Sequence, residues 1–445
     1  MTTAKTALDD VAALHTRHVL TPWLAQAGRT VPTIVRGDGA ALYDDHGKRY
    51  LDFSAGLVAV NLGHAHPGVA AAIGAQAATL AYAAPSLGND RRAELARAIV
   101  DISPWADEGA RVFFTTGGGE ANEDALKFAR AIGGRHKVLT AYRSFHGSAP
   151  GAGTLSGENR RWPNEPGIPG VARFFAPFPY RSPFHTRDPR EEVERAIDHL
   201  ETVVQYEGPS SIAALLIEPV VGSNGVILYP DGYLARVREL CDRHGILLIF
   251  DEVMTGFGRT GEAFAAQTFG VRPDMITFAK GVTSAYVPLG GVAMRESLAA
   301  HFDSRALPSG HTYSGHPLAM AAGVAVLRAY REERLFERAR ELEPLLRARL
   351  EGLRERHRAI GEIRGVGAFF GIELVADRET REPLVPWQGA RNLAPFFNDL
   401  LGSGLYVLGR YNVAIVSPPL VISENEIDEG VAILDHALTR LERGD

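Results

Sequence analysis

Tyr233-Leu234-Ala235-Arg236-Val237-Arg238-Glu239-Leu240-Cys241-Asp242-Arg243-His244-Gly245-Ile246-Leu247-Leu248-Ile249-Phe250-Asp251-Glu252 is the stretch that decides the fold. Tyr233 to His244 is amphipathic and reads as a helix, with Cys241 packed on its inner side. Ile246 to Phe250 is a short, wholly apolar run that stops abruptly at two carboxylates, the signature of a strand covered on both faces. The same alternation extends outward in both directions. Arg111 to Thr115, Lys137 to Ala141, Ile212 to Ile217 and Met275 to Phe278 read as further buried strands, and Glu120 to Ile132 as a further helix. In that helix Ala121, Ala125, Phe128, Ala129 and Ile132 share a face and leave Glu123, Lys127 and Arg130 for solvent. Crossover helices on a mostly parallel sheet follow, an α/β core.

Beyond His316 the texture changes to long Arg/Glu/Leu helices, Pro317 to Glu332 and Glu333 to Glu355, with a last helix from Glu424 to Arg443. With 445 residues the chain exceeds what one core usually serves, so a large and a smaller domain are expected. The boundaries expected are 1–60 for an N-terminal segment contributing to the small domain, 61–325 for the large domain and 326–445 for the C-terminal small domain. Arg160 to Thr186, rich in Pro, Arg and aromatics without a period, reads as a surface excursion near the site.

A net charge of −6 and no run of Lys and Arg interleaved with aromatics argue against nucleic acid as a partner. Asp9, Asp10, His15 and Arg17 interrupt the first twenty residues, against a secretory signal, and no run of about eighteen apolar residues suggests a membrane span. The single cysteine has no internal disulfide partner and fits a reducing compartment, so a cytoplasmic enzyme is expected. His64 and His66 lack the Asp, Glu or Cys at suitable spacing that a metal needs; they read as turn residues, and no metal is expected.

In an open α/β sheet ligands collect beyond the carboxyl ends of the strands. Three ends stand out: Glu218-Pro219, Asp251-Glu252 and Ala279-Lys280-Gly281. Each alone fits an ordinary turn with solvated charge. Together they place a lysine beside glycine, where partial desolvation lowers its pKa toward Schiff-base chemistry, with Asp251 as a complementary charge. Thr115-Thr116-Gly117-Gly118-Gly119-Glu120-Ala121-Asn122 runs from a buried strand through glycines into a helix. Free N–H groups and the positive end of the helix dipole make that junction a phosphate site, although its spacing is neither a Walker loop nor a dinucleotide fingerprint.

These segments, with Phe145-His146-Gly147, Glu218-Pro219-Val220 and Gly222, Asp251-Glu252-Val253 and Thr255-Gly256-Phe257-Gly258-Arg259-Thr260-Gly261, and Lys280-Gly281, resemble the class III aminotransferases of pyridoxal-5′-phosphate (PLP) fold type I. Phe53-Ser54-Ala55-Gly56, Gly63-His64 with His66-Pro67, and His311-Thr312-Tyr313-Ser314-Gly315-His316-Pro317 extend the likeness over nearly the whole chain. The resemblance implies a mostly parallel sheet in the large domain, a smaller α+β domain, and a homodimer, or a higher oligomer built from it, whose active sites lie at the subunit interface. It implies that Lys280 holds PLP and then shuttles a proton, and that Asp251 meets the pyridine nitrogen. Gly118 and Gly119 would cradle the phosphate, Thr312 would reach it from the other subunit, Phe145 and Val253 would sandwich the ring, and Glu218 would stand behind the cofactor.

Two positions depart from the family pattern: Gly117 where serine is common, and Phe145 where tyrosine is frequent. Weaker cofactor retention is expected. Arg410, in Leu408-Gly409-Arg410-Tyr411-Asn412, falls about two residues from the place where amine:pyruvate members keep a mobile, carboxylate-binding arginine; a solvated loop arginine is the plain alternative. Val58, where aryl-amine transaminases often carry tryptophan, and Trp23 and Tyr82 are candidate pocket walls. The reaction expected is ping-pong transfer from an amine or ω-amino acid to pyruvate or a similar keto acid. A PLP decarboxylase or aminomutase, or an ornithine- or γ-aminobutyrate-type aminotransferase, is the rival reading.

Overall fold

The computed structural model describes residues 11–23, 25–26, 31–386 and 392–444. Asp9 and Asp10, used above in reading the N-terminus, lie outside the described residues. Seven strands form the central sheet: β1 (Ala110–Thr115), β2 (Lys137–Ala141), β3 (Val171–Phe174), β4 (Ile212–Ile217), β5 (Leu247–Asp251), β6 (Met275–Phe278) and β7 (Gly290–Arg295). Their order is β1-β7-β6-β5-β4-β2-β3. Only β7 runs against the rest, pairing antiparallel with β6 and β1, while β6, β5, β4, β2 and β3 pair parallel in turn.

The covering helices explain why the strands are apolar throughout. Helix α1 (Gly118–Gly133) buries Ala121, Ala125, Phe128 and Ala129 against Ala214, Leu216, Ile249 and Met275 on one face of the sheet. Helices α2 (Pro189–Glu207) and α3 (Tyr233–His244) belong to the core on the opposite face, with Leu215, Ile217, Leu248 and Phe250, and include the buried Cys241. Successive residues of β4 and β5 thus point to opposite dry layers, and neither face tolerates charge until the strand ends. Gly245 closes α3 in the left-handed conformation that glycine adopts at least cost.

The Arg160 to Thr186 segment differs from the expected excursion. It holds β3, the edge strand beside β2, and the buried Phe174. Four residues are too few for the period-2 pattern to stand out among prolines and arginines. Strand β7 also escaped the sequence reading, because Gly290-Gly291 mimics a loop. Both glycines are required by space: a Cβ on Gly290 would come within 2.6 Å of the Gly117 backbone, and one on Gly291 within 2.6 Å of the Phe278 ring.

Past the central sheet, helices α4 (Pro317–Glu332) and α5 (Leu335–Arg356) lead into β8 (Ile360–Val366), β9 (Phe369–Asp377), β10 (Leu408–Arg410) and β11 (Val413–Val416), ordered β8-β9-β11-β10, before helix α6 (Glu424–Arg443). Strands Ile34–Asp38, Ala41–Asp44 and Arg49–Asp52 form a separate sheet that the C-terminal strand Leu405–Tyr406 extends in parallel. Among the described residues no helix is long and apolar enough to cross a membrane.

Candidate active site

The carboxyl ends of the central strands open onto a cavity of about 400 Å³, lined by Gly117, Gly118, Gly119, Phe145, Glu218, Asp251, Val253 and Lys280 among others. Eight sequence positions scattered over more than 160 residues meet there because strands β1, β2, β4, β5 and β6 all end on the same side.

Asp251, the last residue of β5, is 3% exposed. Its Oδ2 accepts a hydrogen bond from Asn122 Nδ2 at 2.8 Å and lies 2.7 Å from His146 Nδ1, while Oδ1 accepts the Val253 N–H at 3.0 Å. Asn122 is itself held, donating to the His146 carbonyl at 2.7 Å and accepting from the Thr277 hydroxyl at 2.7 Å. The carboxylate is therefore fixed from β5, β6, α1 and the turn after β2. A buried polar group held on several sides keeps one orientation.

Lys280 begins a single 3-10 turn after β6 with φ of +50°, a conformation non-glycine residues adopt at a cost of order 1 kcal/mol or more. Burial lowers its amine to about pH 8, against the opposing pull of Asp251 and Glu218. An amine of that pKa has about one-tenth of its population neutral and nucleophilic at pH 7, a few hundred times the share of an ordinary lysine. Glu218 is buried and accepts the Phe145 and Gly222 N–H groups at 2.9 and 2.8 Å; burial raises its carboxyl to about pH 7. Glu252, next to Asp251, is likewise pushed up to about 7 by burial, but its oxygens are taken by Thr255, Ala265 and Ala266, a structural brace.

At the other end of the cavity Gly117 is the N-cap of α1 and supplies no side-chain cap, so the first-turn N–H groups of the helix have no intrahelical acceptor. A Cβ on Gly118 would sit 2.7 Å from Val253 Cγ2, so glycine keeps a slot open between the helix terminus and Val253. Gly147, at φ +141°, would with a Cβ reach 2.8 Å from the Gly119 backbone. These uncapped donors, the glycine slot, the braced Asp251 and the desolvated Lys280 fit a phosphorylated pyridine aldehyde: donors for its phosphate, an acid for its ring nitrogen and an amine for its aldehyde.

The remaining sequence candidates fall in different places. Trp23 is half-exposed and meets the Phe145 ring edge-on at 6.2 Å. Val58 is buried among Val220, Val226, Phe369, Val413 and Ile415, next to the cavity-lining Ala59. Thr312 is exposed and away from the cavity of its own chain, and its carbonyl accepts the Tyr82 hydroxyl at 2.9 Å, so these two candidates travel together. Arg410 stands on β10, half-buried, with Nη2 paired to Glu158 and bonded to Asn159 at 2.8 Å. His64 meets Asp52, His66 and His316 cap helices, and His311 holds Asp124.

Sequence reasoning assigned nothing to Arg160, whose guanidinium lies 3.6 Å from the Phe145 ring centroid and also pairs with Glu158. It lay in the segment read as an aperiodic excursion. Asn122 and His146 stood inside quoted motifs, but no pattern in the sequence tells which strand-end carboxylate they brace.

The family model for aminotransferase class-III matches residues 25–438. A probable aminotransferase of Mycobacterium tuberculosis is 39% identical over 427 residues, 93% of this chain and 91% of that protein. The taurine–pyruvate aminotransferase of Rhodobacter capsulatus is 35% identical, covering 92% of this chain and 91% of its own length. Among solved structures, the taurine:2-oxoglutarate aminotransferase of Bifidobacterium kashiwanohense, in complex with PLP and glutamate, superposes with a TM-score of 0.94 at 41% identity over 99% of both chains.

Proposed function

Since this chain belongs to the class III aminotransferases and is a PLP-dependent transaminase of fold type I, we propose that it works on amines or ω-amino acids with pyruvate as acceptor, through Lys280 and Asp251. The observation that carries the residue assignment is that a desolvated lysine and a braced aspartate, on neighbouring strand ends, line one cavity with an uncapped helix terminus.

Bound PLP supplies an electron sink for the C–H bond that breaks during transfer. Lys280 would hold the cofactor at its aldehyde through Nζ, and its neutral amine would carry a proton to and from the substrate carbon. Asp251 holds a proton at the ring nitrogen, and Asn122 and His146 keep its Oδ2 from turning away. The first-turn N–H groups at Gly118 and Gly119 orient the phosphate. Phe145 and Val253 would pack the two faces of the ring, and Glu218 holds the Phe145 backbone by accepting its N–H. Thr312, exposed in its own chain, reaches the phosphate of a partner in a homodimer, with Tyr82 beside it. Trp23 and Val58 border the donor side, and Arg410 receives the keto acid's carboxylate by leaving Glu158. The cytoplasm, where a lone buried cysteine stays reduced, is the proposed compartment.

One neighbour favours a second reading of the acceptor: the solved structure of 41% identity is named for 2-oxoglutarate rather than pyruvate. A panel of amines and ω-amino acids, each run against pyruvate and against 2-oxoglutarate and followed through the cofactor's visible band, decides between them. Faster return of the band with pyruvate is expected; faster return with 2-oxoglutarate reverses the assignment. Carbon dioxide release or isomerisation without an acceptor would mark the decarboxylase or aminomutase chemistry instead. Lys280→Ala is expected to abolish turnover and Asp251→Asn to reduce it severely, whichever acid is used.

A further inference from the structure

Phe145 borders the cavity that holds Lys280, and its ring carries no polar atom by which neighbours could fix it. The ring is held through one face and one edge instead. Arg160, in the 3-10 turn Asn159–Asn164, lays its guanidinium 3.6 Å from the ring centroid, and Trp23 meets the ring edge-on at 6.2 Å with the two planes 86° apart. Phe145 lines the cavity and Arg160 does not, so the guanidinium covers the face turned away and leaves the other to the cavity.

The guanidinium is itself fixed. The Arg160 side chain is 15% exposed; its Nε donates to Glu158, whose side chain is fully buried, and its Nη2 donates to the Ser223 hydroxyl at 2.8 Å. Ser223 follows Gly222, whose N–H donates to Glu218 Oε2 at 2.8 Å, and Glu218 Oε1 accepts the Phe145 N–H at 2.9 Å. These contacts start and end at Phe145. Glu218 holds its backbone, Arg160 holds its ring, and both anchors lead to the same turn after β4. Glu158 also pairs with Arg410. When Arg410 leaves for a keto acid, Arg160 still neutralises this buried carboxylate, so the circuit stays closed through both halves of the reaction.

We propose that Arg160 is a positioning residue for the transamination, holding the Phe145 ring ready to pack on PLP and acting through that ring rather than on the substrate. The proposal rests on the reading that Phe145 packs on a face of the cofactor. A guanidinium attracts an aromatic face through its charge and its flat surface, and one anchored at Nε and Nη2 stops the ring from turning into the cavity. A ring ordered before PLP arrives removes part of the entropic cost of binding.

The test is a PLP titration of the full-length enzyme stripped of cofactor, followed by absorbance, in a double-mutant cycle of Arg160→Met and Phe145→Leu. Arg160→Met alone is expected to weaken PLP binding about fivefold, and Arg160→Lys, which keeps a cation for the ring, to lose less. In the Phe145→Leu background, where the ring is gone, Arg160→Met is expected to cost nothing further. Ser223→Ala keeps every charge and removes only the anchor at Nη2. It is expected to weaken PLP binding in the same direction without lowering the melting temperature of the stripped enzyme, and it decides the matter if Arg160→Met does not fold. Unchanged affinity in Arg160→Met or in Ser223→Ala, equal losses in Arg160→Met and Arg160→Lys, or the same loss with and without the ring overturns the proposal. Unchanged affinity in Phe145→Leu overturns the reading on which it rests, and the proposal with it.

Discussion

Lys280 shows how one residue's surroundings set its chemistry. Its amine, lowered to about pH 8 by burial, is increasingly neutral as pH rises through that value, and only the neutral form attacks an aldehyde. The rate at which PLP-free enzyme takes up PLP is therefore expected to rise with an inflection near pH 8; an inflection near the ordinary lysine value of about 10.4 would contradict this. Arg410 is governed by its partner instead. Because Glu158 already holds its guanidinium, Arg410→Ala is expected to raise KM for pyruvate several-fold with little change for a neutral amine. Equal losses for both would make it a purely structural residue. Lys280, Asp251 and Glu218 were legible in the sequence because each ends an apolar run. Arg160 was not, since its place over Phe145 depends on a long chain excursion that no local pattern encodes.

The element that matters most is the strand–glycine–helix junction of β1 and α1. A Cβ at Gly117 would meet nothing within 4 Å, and φ of −176° there suits any residue, whereas a Cβ at Gly118 would press on Val253. Opposite effects are expected from neighbouring substitutions: Gly117→Ser should tighten PLP binding by adding a hydroxyl, and Gly118→Ala should weaken it at least tenfold by closing the slot. PLP titration monitored by absorbance checks both, and equal behaviour of the two variants would refute the slot. Helices Tyr233–His244, Pro317–Glu332 and Glu424–Arg443 are found with the bounds their periodicity predicted. Strands β3 and β7 were missed for physical reasons: β3 is a four-residue edge whose partner supplies its order, and β7 opens on glycines chosen for close packing rather than for a turn.

Across the whole molecule the N-terminal, central and C-terminal parts are joined by buried polar contacts. Strand Leu405–Tyr406 extends the N-terminal sheet, which supports grouping residues 1–60 with the C-terminal domain, the division we propose. Arg259, fully buried, bonds the carbonyls of Ala368 and Pro418 and the side chain of Asn61, and burial lowers its guanidinium to about pH 10. Arg259→Met leaves those acceptors unpaired and is expected to destabilise the fold by about 3 kcal/mol, read as a lower midpoint in urea. An unchanged midpoint would show that the contact is dispensable. Such long-range stitches join residues between 109 and 198 positions apart, beyond the reach of any window of sequence.

The central claim is that Nζ of Lys280 carries the cofactor. Borohydride reduction of the PLP-loaded enzyme, followed by digestion and mass spectrometry of the labelled peptide, tests it directly. A single pyridoxyl group on Lys280 is expected; a label on another lysine, or none, would contradict it.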